Sequence, residues 1–320
     1  MRRAIIVAVG VVAGAAVGYE SPCAPGLVPF GDGHAGFSCS PIATVVADAT
    51  AFLHRNLPLF DRLNEATLGF TADATLDSGI AVIGVNESVH TKVSSRFSAD
   101  VPKRLFLEYV VPYGVTNEGR SDWRTLFSPV VAAVLAAASA GWRDWTTAEA
   151  VATINAGIWG GAFGKALAFQ PQQTPRVYDV MSMLVFGHAS CTGLSIFLVS
   201  ALRSAGIACR LAGTPAWHRT PSAGNHNWVE VWSPEHGWQF LEAAPAGTGS
   251  LASPCDKWFC QPRWLTNNTQ FFASRWVQST LTRFPMAWDP HNPTVPGVNR
   301  TDYYHRVCSQ CPDTAPARAP

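Results

Sequence analysis

Residues 187–193 read GHASCTG and run directly into LSIFLVSALRSAGIACRL, residues 194–211. Within that run apolar side chains fall at Leu194, Phe197, Leu198, Ala201, Leu202 and Ala205. The spacing i, i+3, i+4, i+7, i+8, i+11 is one face of an amphipathic helix. Gly206 supplies its C-terminal stop. Cys191 therefore opens a helix, where N–H groups without acceptors and the helix dipole favour negative charge. That position raises the thiolate fraction of a cysteine. A small buried thiol would fit there equally well and do nothing, so its partners must decide.

Reading outward, IACRLAG (207–213) predicts a short strand with Ile207, Cys209 and Leu211 on one face. The polar loop TPAWHRTPSAGN (214–225) leads to HNWVEVW (226–232), a strand rich in Val and Trp. SPEHG (233–237) turns the chain and WQFLE (238–242) returns antiparallel. With SPEHG as a five-residue loop, Trp232 faces Trp238, His226 faces Ala244 and Glu242 faces Trp228. These positions share one side of the sheet, since side chains alternate along a strand. Glu242 is then the diagonal neighbour of His226, roughly 7–8 Å between backbones, within reach of a glutamate. A slip of one residue would send Glu242 to the opposite face. Nucleophile, base and orienting carboxylate are thereby expected at Cys191, His226 and Glu242.

A cysteine-led helix ending ALRSAGI, then CRLAG, HNWVEVW and GWQFLE, resembles the transglutaminase-like superfamily. FLHRNLPLFD (52–61), FLEYVVPYGVTNEGRSDWR (106–124) and FPMAWDPHNPTVPGVNRTDYY (284–304) are similar to flanking segments of a long, exported bacterial-type subgroup. The resemblance implies Cys191 as nucleophile, His226 as general base and Glu242 as third member, with Glu242 standing where the superfamily usually carries Asp. It also implies an α+β fold with a papain-like core, the nucleophile helix packed on an antiparallel sheet, behind a mainly helical N-terminal region. The implied chemistry is acyl transfer on protein or peptide carboxamides. The alternatives are a cysteine peptidase or amidase on the same triad, and a non-catalytic surface-binding module. No metal or organic cofactor is implied.

The chain ends set the compartment. MRRAIIVAVGVVAGAAVG (1–18) has the charged, apolar, small-residue order of a signal peptide, and its apolar run is short for a membrane span. A secreted or extracytoplasmic location, with no stable membrane insertion after cleavage, is expected. Such a compartment is oxidising. Of eight cysteines, Cys23 with Cys39, Cys255 with Cys260, and Cys308 with Cys311 are neighbours in sequence. These six are expected to be bridged, in a connectivity the sequence leaves open, with Cys191 and Cys209 left over. Asn86, Asn267 and Asn299 begin glycosylation sequons.

The 320 residues are 48% hydrophobic and 14% charged, enough apolar material for a sizeable core, and the net charge is +1. That balance offers no general attraction to nucleic acid. The expected order is signal peptide 1–18, a Gly/Pro-rich disulfide-clipped lead-in 19–45, a mainly helical region 46–170, a catalytic domain 171–305 and a tail 306–320.

Four residues outside the triad are candidates for the substrate cleft. His218 lies in the loop before the His226 strand, and Trp228 shares the His226 face, where core packing is the simpler role. Asn117 and Glu118 sit in a shared flanking segment, although a turn already accounts for Asn-Glu-Gly. Glu230 is expected in an ion pair with Arg210, Cys209 as a buried thiol, and His188 and His236 as loop histidines.

Overall fold

The computed structural model of the chain describes residues 19–33, 36–70, 79–247, 249–278 and 281–313. The expected signal peptide lies outside the described residues. No helix among them is long and apolar enough to cross a membrane.

The helix expected after Cys191 forms over Cys191–Ser204 and ends at Gly206, whose φ of +82° is the left-handed conformation that closes a helix. Its surroundings differ from the expectation of a single buried face. Thr192 to Ser204 are all buried. The Trp123–Ala138 and Thr147–Gly157 helices cover the side turned away from the sheet. The polar positions are satisfied internally, as a buried helix requires. The Ser200 hydroxyl donates to the Ile196 carbonyl at 2.9 Å, and the Ser204 hydroxyl to the Ser200 carbonyl at 3.0 Å. The Arg203 guanidinium donates to the carbonyls of Gly114 and Cys209.

Beneath the helix lies a five-stranded antiparallel sheet in the order Gly237–Leu241, His226–Ser233, Cys209–Thr214, Phe272–Ser274, Gly297–Asn299. Trp232 pairs with Trp238 and Val229 with Leu241, the expected register. The loop is shorter than expected, because Ser233 and Gly237 also pair and only 234–236 turn. The Gly237–Leu241 strand stops short of the pairs expected for Glu242 and Ala244, and Ala244–Ala246 coils into a 3-10 turn.

The sheet is buried on both faces. Cys209, Leu211, Val229 and Val231 pack toward the Cys191 helix. On the other face, Ala212, Trp228, Phe240, Phe259, Phe271 and Tyr304 form a second core. An ion cluster sits at its edge. Arg210 reaches Glu230 at 2.7 Å, Arg300 reaches it at 2.9 Å, and the Tyr304 hydroxyl donates to it at 2.9 Å. The Trp228 indole N–H donates to the Tyr304 hydroxyl at 2.7 Å, joining cluster and core.

Two disulfides fasten the C-terminal segment over this face, Cys255 to Cys311 and Cys260 to Cys308. Each sequence neighbour thus bonds across to the other pair. Cys23–Cys39 clips a hairpin of Leu27–Gly31 and Phe37–Pro41 in the lead-in. The residues expected to open a tail at 306 instead complete the Thr301–Cys308 helix, and the two bridges hold them there. The N-terminal helices Ile42–Arg55, Ile80–Lys92 and Lys103–Tyr109 contribute to a third core.

Candidate active site

Cys191 sits in the first turn of its helix, part-exposed, at a cleft of about 530 Å³. The first turn is tied to the neighbouring strand through Asn227. The Thr192 hydroxyl donates to Asn227 Oδ1 at 2.8 Å, and the Ser195 hydroxyl to the Asn227 carbonyl at 3.2 Å. His226, the residue before Asn227, begins the His226–Ser233 strand opposite Thr214. Its ring consequently meets the helix start, where it lines the same cleft as Cys191.

The far side of the ring belongs to Glu242. His226 Nε2 lies 2.7 Å from Glu242 Oε1, which leaves Nδ1 uncommitted to the carboxylate. Glu242 follows directly on the last residue of its strand, and its main chain is held from the helical layer. Asn155 Nδ2 donates to the Glu242 carbonyl at 2.8 Å, while Asn155 Oδ1 accepts from the Ala244 N–H at 3.0 Å. The Trp258 indole N–H donates to Glu242 Oε1 at 3.1 Å, and its ring lies 5.0 Å from that of His226.

These contacts set the electrostatics. Burial alone pushes the Cys191 thiol up, but the hydrogen bond and charge of His226, the Asn227 N–H and the Thr192 hydroxyl outweigh it and bring it below the usual thiol range. Burial pushes His226 down, and its bonds to Cys191 and Glu242 reverse this, raising it to about 9. The two groups favour a thiolate–imidazolium pair, titrating as one coupled system. Cys209 differs: burial, only partly offset by Arg203, pushes it up to about 12. Its thiol faces the Val199 carbonyl inside the core.

The cleft candidates fare differently from the triad positions. Trp228 is fully buried, stacked on Phe259 at 4.1 Å, and is core. Its even-numbered position does put it on the His226 face, but Phe259 covers that face. His218 lies outside the cleft wall, stacked on Trp264 with Nδ1 2.6 Å from the Thr266 hydroxyl. Glu118 is buried and turned inward, accepting from the Val115 and Thr116 N–H groups and pairing with Arg120 at 3.4 Å. Asn117 accepts from the Tyr178 hydroxyl at 3.0 Å, and Tyr178 in turn packs on Trp288 of the cleft wall. It is one residue removed from the cleft. Among the described residues no group of three or more His, Cys, Asp or Glu side chains is arranged to hold a metal ion.

Sequence reading overlooked Asn155, Asn227, Gly247 and Trp258. Gly247 packs against the Glu242 carboxylate so closely that a β-carbon would stand 2.0 Å from Oε2. Its φ of 172° is ordinary extended backbone, so the requirement is steric alone. Gly247→Ala is expected to turn the carboxylate away from His226, at a stability cost of about 1–3 kcal/mol for overpacking. His226 titration by NMR reads the change. A histidine still titrating at about 9 in the variant would show that Glu242 had room to keep its place.

Residues 146–243 match the family model described as the transglutaminase-like superfamily. No curated protein matches the chain. Among solved structures, the periplasmic domain of TgpA from Pseudomonas aeruginosa, bound to ethylmercury, is similar at 19% identity and a TM-score of 0.30, over 47% of this chain and 51% of that one. A candidate cysteine protease from Cytophaga hutchinsonii is similar at 11% identity and a TM-score of 0.29, over 56% of this chain and 47% of that one. The match thus spans about half the length of each of these structures. The matched span, residues 146–243, contains the cysteine-led helix Cys191–Ser204 and its facing hairpin.

Proposed function

We propose that the protein is an exported cysteine acyltransferase acting on carboxamides of proteins or peptides, with Cys191 as nucleophile, His226 as general base and acid, and Glu242 as the group that orients the imidazole. The observation that carries this reading is the placement of Cys191 and His226 together at the edge of an open cleft, with His226 Nε2 2.7 Å from Glu242 Oε1 on the far side of the ring. The Cys191 thiolate attacks the carboxamide carbon, and the oxygen takes up the carbonyl electron pair. First-turn N–H groups of the Cys191 helix, which lack intrahelical acceptors, receive that oxyanion. His226 gives its proton to the departing nitrogen, ammonia leaves, and a thioester remains. An amine then loses a proton to His226, attacks the thioester and releases the cysteine. Water follows the same route to a carboxylate and competes with the amine. Three disulfides support export to an oxidising compartment.

The test uses a glutamine peptide with a fluorescent primary amine. Ammonia release, a Cys191 thioester trapped at low pH, and label on the peptide are the expected result. Ammonia and thioester without label would assign the amidase reaction. Neither product, in folded protein with a free Cys191, would sink both and leave a binding module.

The pH dependence follows from the pair. Turnover should rise as Cys191 ionises, at a pH below the ordinary thiol value of 9.0 because its pKa is lowered. It should fall as His226 loses its proton at about 9, since the leaving ammonia then lacks a donor. A single rising limb through pH 9–10, as for a free thiol, would contradict the pairing.

A further inference from the structure

Five aromatic side chains line the cleft at Cys191: Phe169, Trp217, Trp258, Trp264 and Trp288. Among the described residues, no Asp, Glu, Lys or Arg lines it, so Cys191 and His226 are its ionisable side chains. The protein holds 12 tryptophans, and four of them gather at this one wall.

Three of the indoles brace one another. Trp258 meets Trp217 at 5.7 Å and Trp264 at 5.2 Å, both edge-to-face. Two of their N–H groups are already committed, Trp258 to Glu242 and Trp264 to the Trp258 carbonyl at 3.1 Å. Trp258 and Trp264 are part-exposed, so what they offer a substrate is ring surface. Trp288, also part-exposed, is set against Tyr178 at 6.0 Å. A wall of this kind rewards flat, uncharged groups through edge or face stacking. A carboxylate entering it loses its water, meets negative ring faces and finds no Lys or Arg to pair with, while the His226 imidazolium is already engaged by Glu242. A cationic side chain also loses water but gains from the ring faces, so it is penalised less.

We infer that the cleft selects acyl donors whose reactive carboxamide is flanked by aromatic residues or proline, and rejects donors flanked by acidic residues. The inference rests on the acyl-transfer reading above and narrows its substrate class.

The experiment compares glutamine peptides that differ in one flanking residue, Phe, Pro, Ser, Lys or Asp, by kcat/KM for ammonia release from the full chain. Phe over Ser should be about ten-fold, and Phe over Asp on the order of a hundred-fold. Trp264→Ala should compress the Phe-to-Ser ratio. Binding of the same peptides to Cys191→Ala, read by tryptophan fluorescence, should follow the same ranking. Equal turnover of all peptides, or preference for Asp or for a glycosylated Ser over Phe, would overturn the inference while leaving acyl transfer standing. No turnover of any peptide, with no ranking in binding, would overturn both.

Discussion

Cys191→Ala should lower turnover of a glutamine peptide by at least about four orders of magnitude while leaving the protein folded. His226→Ala should do the same, and the double variant should be no worse than either, because groups that act as one unit do not add. The physical reason lies in the coupling. His226 lowers the Cys191 thiol, and Cys191 and Glu242 in turn raise His226, so on the proposed mechanism removing one member disables the others. Two measurements give the prediction content beyond loss of activity. In Cys191→Ala, His226 loses one of the partners that raise it and should titrate below about 9. In Glu242→Gln, the amide oxygen still accepts from Nε2–H, but the charge that supports the imidazolium is gone. The alkaline limb of the activity profile should then move to lower pH, with a loss smaller than that of the nucleophile by about a hundred-fold. A folded Cys191→Ala protein retaining activity within ten-fold of the parent would remove the cysteine from the mechanism.

The parts of this site that were legible in the sequence depend on backbone periodicity. Helical spacing after Cys191 and strict alternation along 226–242 brought Glu242 to the side of His226, and the observed register agrees. What escaped depends on how remote segments meet. Phe259 lies 31 positions after Trp228, and nothing in the strand pattern indicates that it will cover the Trp228 ring. Asn155 and Gly247 hold Glu242 by a hydrogen bond and by lack of bulk, features that leave no spacing signature. The crossed disulfides have a similar origin: their pairing is decided where the Thr301–Cys308 helix docks. Burial of the Cys191 helix on all sides was hidden because serines mark its other faces, and each serine bonds inside the structure.

The second large effect concerns Glu230, on the strand that carries His226. Glu230→Ala should destabilise the protein by about 3–5 kcal/mol, the usual consequence of removing one member of a buried ion cluster. Arg210 is buried, and its guanidinium would keep only the Tyr109 hydroxyl, 2.9 Å away, and the Trp238 ring, 3.9 Å from its centre. Arg300 and the Tyr304 hydroxyl would lose the same carboxylate. Burial opposes ionisation of Glu230, and the two guanidinium groups more than reverse it, holding the carboxyl below its usual range. Thermal unfolding with the disulfides intact measures the change, expected at roughly 10 °C given about 2–4 °C per kcal/mol for chains of this order. The double variant Glu230→Leu with Arg210→Met should recover much of the loss, because apolar replacement of a buried pair is often close to neutral. Glu230 sits four residues along the strand from His226 and pairs with Arg210 directly opposite, just as His226 pairs with Thr214. If the cluster contributes stability alone, the folded fraction of Glu230→Ala should keep its turnover per molecule. If it also fixes the register, turnover should fall below the folded fraction, since a one-residue slip turns His226 away from Cys191. A melting temperature unchanged in Glu230→Ala would mean that water reaches the two arginines and the cluster is not buried in solution.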